Sequence, residues 1–238
     1  MTGSNILLVN YGTDLMSQDQ WTLVDRYIGD LLLPPDAELD DAVDASTGAG
    51  LPLIAVSPAQ GKLLHVLARA VGARRILEIG TLGGYSAIWL ARALPRDGRL
   101  VTLELDPKHA EVARRNFARA GVGHLVDLRV GPALATLPAL RPDEPFDFIF
   151  IDADKGGYTA YLDWAVKLSH PGTLIIADNV VRDGEVTNAA STDTSVQGIR
   201  HFNEALAADR RVTATEIQTV GVKGYDGFAA IIVGRDRA

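Results

Sequence analysis

Two stretches of the chain end apolar runs in acids: Phe146 to Tyr158 reads FDFIFIDADKGGY, and Leu174 to Val180 reads LIIADNV. Read as buried strands, they place Asp152 and Asp154 at one strand end and Asp178 and Asn179 at the next. Adjacent parallel strands would then bring three or four oxygen ligands to one sheet edge. Hard oxygen donors without thiolate suit Mg²⁺, with Mn²⁺ or Ca²⁺ as the other candidates, waters or substrate oxygens completing the shell. Crowded carboxylates repel and raise one another's pKa, and a divalent cation relieves that. Acids at strand ends are also ordinary helix caps or solvated loop residues, the better reading of either motif alone. The two motifs together favour the cation.

A third stretch, Ile76 to Arg92, reads ILEIGTLGGYSAIWLAR: an apolar run is broken by Glu78 and then by Gly80, Gly83 and Gly84 before turning helical. A dinucleotide loop would follow G-x-G-x-x-G, but here Thr81 stands where the middle glycine should leave room for pyrophosphate. Glu78 would repel that pyrophosphate, whereas it suits a cationic amine. One strand later, VTLELD places Glu104 where an acid accepts hydrogen bonds from ribose hydroxyls. A nucleoside with an amine and no phosphates describes S-adenosylmethionine (SAM). The plainer alternative is that both acids are solvated strand-end charges and the glycines only turn the chain.

These residues need elements to hold them. Ser17 to Gln20 fit a capping box that opens a helix with Trp21, Val24, Ile28 and Leu31 on one stripe, stopped by Pro34 and Pro35. A second start follows at Ser57-Pro58-Ala59-Gln60, with Leu63, Leu64, Leu67 and Ala70 facing inward and Gly72 closing the helix. Strand and helix signals then alternate: 75–79, 100–104, 126–130, 146–151 and 173–177 extended, and 85–94, 107–120 and 158–168 helical. That rhythm predicts an α/β fold, a doubly wound, mostly parallel sheet with helices on both faces. A helix carrying Val196, Ile199, Phe202 and Leu206 leads to two late strands, 212–218 and 228–233. Their connection is too short for a parallel crossover, so they form a hairpin and one of them runs antiparallel, in a sheet of seven strands.

Composition narrows the function. With 238 residues and 47% hydrophobic content, the chain suffices for a single large α/β domain. Lys and Arg total 23 against 30 Asp and Glu, a net charge of -7, and no basic run is interleaved with aromatics; nucleic acid is not an expected partner. The absence of cysteine excludes thiolate zinc sites, disulfides and cysteine nucleophiles, and points to a reducing, cytoplasmic setting. No apolar run approaches the ~20 residues that span a bilayer, so no membrane partner is expected. Residues 1–16 show no periodicity. The five histidines lie far apart and are read as ordinary surface or core residues.

From about Ile54 onward the chain resembles the metal-dependent class I O-methyltransferases of the catechol and caffeoyl-CoA type, particularly their small bacterial members. The likeness is carried by EIGTLGGYS, the acid-ended VTLELDP, GPAL at Gly131 to Leu134, FIFIDADK and IIADNV, in that family's order and spacing. It implies a Rossmann-like class I methyltransferase fold, with residues 57–238 as the SAM-binding core and residues 1–56 as an extension and helices on the acceptor and dimer side. It further implies that Glu78, Gly80 and Ser86 line the methionyl end of SAM with Thr81 in the cofactor's reach, that Glu104 holds the ribose, that Ala133 borders the adenine, and that Val56 closes the pocket. Asp152, Asp178 and Asn179 would bind the metal, Asp152 also bordering the cofactor, and Lys155 would be the base. Asp154 stands where the animal catechol enzymes have an aromatic residue, so their acceptor pocket is not carried over.

The expected activity is methylation of one hydroxyl of a catechol-like small molecule by SAM, with a divalent cation positioning and activating the acceptor, and with a homodimer as the assembly. A free phenol has a pKa of ~10, so a cation that stabilises the phenolate supplies both activation and template. Lys155 has to be a neutral amine to accept a proton; its plainer role is an ion pair with Asp152 or Asp154. The polar segment 180–195 forms either the rim over the acceptor, with Arg182 open to an acidic substituent, or a solvated loop. Two other classes stay open: an NAD(P)-dependent dehydrogenase, which the glycine spacing opposes, and a nucleoside-binding module without catalysis.

Overall fold

The computed structural model describes residues 17–234, so the reading of residues 1–16 lies outside the described residues. Seven strands form one sheet: β1 (Arg75–Ile79), β2 (Arg99–Glu104), β3 (Val126–Val130), β4 (Phe146–Ile151), β5 (Ser169–Asp178), β6 (Val212–Gly221) and β7 (Gly224–Val233), in the order β3-β2-β1-β4-β5-β7-β6. β1 to β5 pair in parallel. β7 runs antiparallel to both β5 and β6. The expected hairpin is therefore present, with longer strands than the sequence indicated and only Val222 and Lys223 between them.

Successive strand residues face opposite sides, and the two sides have separate cores. Leu77, Ile79, Ile149, Ile151 and Ile175 pack with α7 (Tyr158–Lys167) and α8 (Thr194–Ala208) through Tyr158, Leu162, Ile199, Phe202 and Leu206. Ile76, Phe148, Phe150 and Ile176 pack on the other face with α2 (Ala37–Gly48), α3 (Pro58–Ala70), α4 (Tyr85–Ala91) and α5 (Pro107–Arg119). Phe148, Ile149, Phe150 and Ile151 are all fully buried, as the run FIFI requires of a central strand. Each such side chain contributes roughly 1.5–3 kcal/mol by leaving water. A short α6 (Ala133–Thr136) follows β3.

Several helix starts follow their expected chemistry. Ser57 Oγ accepts from the Gln60 amide N–H at 3.2 Å, with Pro58 in the first turn. The buried stripe of α3 is Gly61, Leu64 and Ala68, so Ala70, expected inside, is exposed. α1 (Gln18–Leu32) starts at Ser17 but buries none of its residues fully, and Val24 and Leu31 are exposed. It lies against the β6–β7 hairpin: Gln18 Nε2 donates to the Gly221 carbonyl at 2.9 Å, and Asp25 Oδ2 accepts from Val222 N–H at 2.7 Å. α2 has no counterpart in the sequence reading; it is capped by Asp36 and buries only Leu39 and Ala42.

Strand order turns in opposite directions from β1 and β4. In a doubly wound sheet this switch leaves a crevice at the carboxyl ends of the central strands. The candidate residues stand there.

Candidate active site

A cavity of about 860 Å³ opens over the carboxyl ends of β1, β2, β4 and β5. That is ample for a nucleoside ligand together with a small acceptor. Gly80, Thr81, Ser86, Glu104, Ala133, Asp152, Lys155, Asn179 and Val56 all line it. Nine of the residues expected at the site therefore share one space. Glu78 and Asp178 stand just behind the wall, both buried. Glu78 occupies the strand face covered by α4, where Ser86 Oγ donates to Oε1 at 2.7 Å and Thr102 Oγ1 lies 2.5 Å from Oε2. Burial pushes its pKa up to about 8, with Asp152 and Glu104 adding to the rise and the two hydroxyls opposing it.

Glu104 is a different kind of acid. Its Oε2 accepts the backbone N–H of Thr81 at 3.2 Å and of Leu82 at 2.7 Å, and its Oε1 accepts Asp106 N–H at 2.9 Å. The carboxylate thus ties the end of β2 to the glycine loop after β1. His109, which the sequence reading set aside, lines the cavity 3.4 Å from Glu104 Oε1.

Gly80 is required for a reason internal to the protein. Its φ is +102°, and a Cβ there would lie 1.9 Å from the Asp152 carbonyl oxygen. Glycine lets the end of β1 run against the end of β4, which fixes the glycine loop beside Asp152.

At the other end, Lys155 Nζ donates to Asp152 Oδ1 at 3.0 Å and to Tyr158 OH at 2.6 Å. The ion pair with Asp152 that was the plainer role of this lysine is therefore present, and with the lysine side chain only 10% exposed it faces inward and does not lie on the surface. Tyr158 is fully buried, and its OH lies 2.9 Å from the Asp178 carbonyl. No role was expected for it from the sequence; only its position directly after the double glycine Gly156-Gly157 marks it. α8 holds this turn in place: a Cβ on Gly198 would lie 2.4 Å from the Lys155 carbonyl oxygen.

Asp154, a possible fourth ligand by its strand-end position, is engaged otherwise. It caps the turn by accepting Gly157 N–H at 3.0 Å and accepts from Tyr161 OH at 2.5 Å. Asp152 and Asp178 remain as the facing carboxylates. Burial and then the charge of Asp152 push the Asp178 pKa up to about 7, with Lys155 opposing. Among the described residues no three His, Cys, Asp or Glu side chains form a metal cluster. The set that fits a hard cation is two carboxylates and the Asn179 amide oxygen. Asn179 is held at φ +58°, uncommon for a residue with a side chain.

The chain matches the family model described as O-methyltransferase over residues 37–227. It is 54% identical over 220 residues to the catechol O-methyltransferase of Niastella koreensis, covering 92% of this chain and 100% of the relative. The O-methyltransferase from Bacillus cereus, solved in complex with SAH, superposes with a TM-score of 0.89 at 54% identity, covering 91% of this chain and 100% of that one. TomG from Streptomyces achromogenes, solved in complex with SAM, gives 0.89 and 54%, covering 93% and 100%. Together with a sheet whose switch-point cavity gathers the acids and glycines of the three motifs, these matches exclude the dehydrogenase alternative. The chain is an enzyme that belongs to the O-methyltransferase family.

Proposed function

We propose that this chain transfers the methyl group of SAM to one hydroxyl of a vicinal diphenol, with a divalent cation at Asp152, Asp178 and Asn179. The observation that carries the reading is the pair of acids, Asp152 and Asp178, at the ends of neighbouring strands beside a cavity large enough for both reactants. Mg²⁺ is the expected ion. The names of the relatives, one acting on catechol and two solved with SAH or SAM, support the same reading.

Bound SAM supplies an electrophilic methyl, and the cation supplies positive charge that stabilises a phenolate. The rest is the chain's work. Glu104, Ala133 and His109 border the nucleoside end, while Gly80, Thr81 and Ser86 border the amino-acid end, with Glu78 behind Ser86 as a hydrogen-bonded support. Asp152 faces both ends. Lys155, which has to give up a proton from its ammonium before it can act as a base, is placed to take the proton of the acceptor hydroxyl, and Tyr158 and Asp152 fix where its nitrogen sits. Holding a nucleophile and an electrophile in line lowers a barrier by up to ~7–11 kcal/mol, so positioning outweighs the base. The domain acts as one unit: segment 52–56, ahead of the core at 57–238, supplies part of the cavity wall.

The test is a methylation assay with SAM, Mg²⁺ and a panel of catechols. Monomethyl ethers are expected, and EDTA should abolish them; equal rates in EDTA would sink the cation assignment. Asp178→Ala should lose most of the activity while SAM binding by calorimetry stays within a few-fold. Loss of SAM binding would make Asp178 a structural residue.

A further inference from the structure

We propose that the rim of this cavity is an anion subsite centred on Arg182, and that the acceptor it selects is a vicinal diphenol bearing a carboxylate. The inference rests on the methyl-transfer reading of the same cavity and names its substrate class.

Arg182 lines the cavity and is half-buried. Its Nε is buried and has no hydrogen-bond partner. Among the described residues no carboxylate forms an ion pair with its guanidinium. The other basic side chains on the wall are engaged: Lys155 on Asp152, His109 near Glu104, and Lys223 Nζ on the Leu53 carbonyl at 3.0 Å. In a chain of net charge -7, Arg182 and Lys223 give this rim two positive charges that, among the described residues, no carboxylate pairs with.

The backbone is built to hold Arg182 there. Asp226 Oδ1 accepts the N–H groups of Val181, Arg182 and Gly227 at 3.0, 2.9 and 2.9 Å, fastening the turn to β7. Arg182 and Asp183 have φ of +54° and +55°. L-residues rarely adopt this conformation, and it persists where surrounding contacts over-determine it, commonly at functional sites.

A neutral catechol bound against Arg182 would leave its guanidinium without a counter-charge, and a cation desolvated without a partner is costly. A carboxylate would take two parallel, charge-assisted bonds from it. Asn179 and Arg182 are three residues apart, so their Cα atoms lie within ~11 Å of each other. The anionic group therefore belongs on the acceptor's ring or on a short arm, not on a long carrier.

The test compares catechol, 3,4-dihydroxybenzoate and its methyl ester as acceptors for the wild type, Arg182→Met and Arg182→Lys. All three proteins bear a side chain at the same positive φ, so backbone cost is matched. The wild type should prefer the acid over its ester in kcat/KM. Arg182→Met should lower kcat/KM for the acid by roughly 10- to 100-fold, the size of one charge-assisted hydrogen bond, and change the ester and catechol by less than about threefold. Arg182→Lys should recover part of the loss. Equal losses on all three acceptors, or no preference in the wild type, overturn the proposal. Equilibrium binding of the acid to wild type and Arg182→Met, in the presence of SAH and Mg²⁺, runs alongside. If the wild type methylates none of the three, the methyl-transfer reading fails. The binding comparison then decides the subsite by itself: weaker binding to Arg182→Met supports it, and equal binding refutes it.

Discussion

Replacing Glu78 by glutamine tests the electrostatics of the sheet interior. Glu78 is fully buried, and its pKa is raised from 4.5 to about 8, chiefly by burial. At neutral pH it therefore carries a proton in the folded protein and none in the unfolded chain. Below pH 4.5 both states are protonated, and the stabilisation from this group is fully present. Between 4.5 and about 8 only the folded state holds the proton, so stability falls by ~1.36 kcal/mol per pH unit, about 5 kcal/mol in all. That is a large part of the ~5–15 kcal/mol by which domains are stable. Glutamine matches the neutral acid in shape and bonding. Ser86 Oγ and Thr102 Oγ1 lie 2.7 and 2.5 Å from the two oxygens of Glu78, and a glutamine amide in the same place keeps a hydrogen-bond partner at each. Urea unfolding of wild type and Glu78→Gln at pH 5, 6, 7 and 8 gives the difference directly. The variant should gain on the wild type by ~1.36 kcal/mol per pH unit, while Asp178, which titrates in the same window, is present in both proteins and cancels. Parallel stability curves would refute the reasoning, because they would mean that Glu78 is ionised inside the fold.

The other outcomes concern the lysine turn and the α1 face. Tyr158→Phe removes the hydroxyl that bonds Lys155 and faces the Asp178 carbonyl, and should lower kcat by about tenfold or more with KM for SAM nearly unchanged, as expected of a residue that positions a base. A matching fall in melting temperature without a kcat effect would assign it to packing alone. α1 and the hairpin expose Leu23, Tyr27, Leu31, Leu32, Ile217 and Val222, and this face should pair two copies of the chain. Sedimentation should give a dimer, converted to monomer by Leu31→Asp; a monomeric wild type excludes that pairing.

Much of the fold was legible because it depends on local rules: caps at Ser17 and Ser57, the alternation of strands and helices, and a hairpin implied by a short connection. α2 was not, since AELDDAVDASTG offers only Leu39 and Ala42 to the core and its apolar period is correspondingly faint. The site divides in the same way. Acids at strand ends are visible in a linear reading, but their partners are not. Asp154 is drawn off by Tyr161, one helical turn pair further on, while Asp152 is left to Lys155 and Asp178. Side-chain alternation does place Glu78 with Ile76 on one face, but only the packing of α4 over that face turns a strand-end acid into a buried one whose pKa is pushed up.

Gly80 shows why a glycine motif underdetermines its ligand. Its missing side chain makes room for the Asp152 carbonyl of the neighbouring strand, so the residue is required whether or not any cofactor approaches. The same contact positions Asp152 between the glycine loop and Lys155. A glycine needed for strand packing thereby sets the distance between the two halves of the cavity, and the loop and the acid cluster, read separately in the sequence, are one mechanical unit.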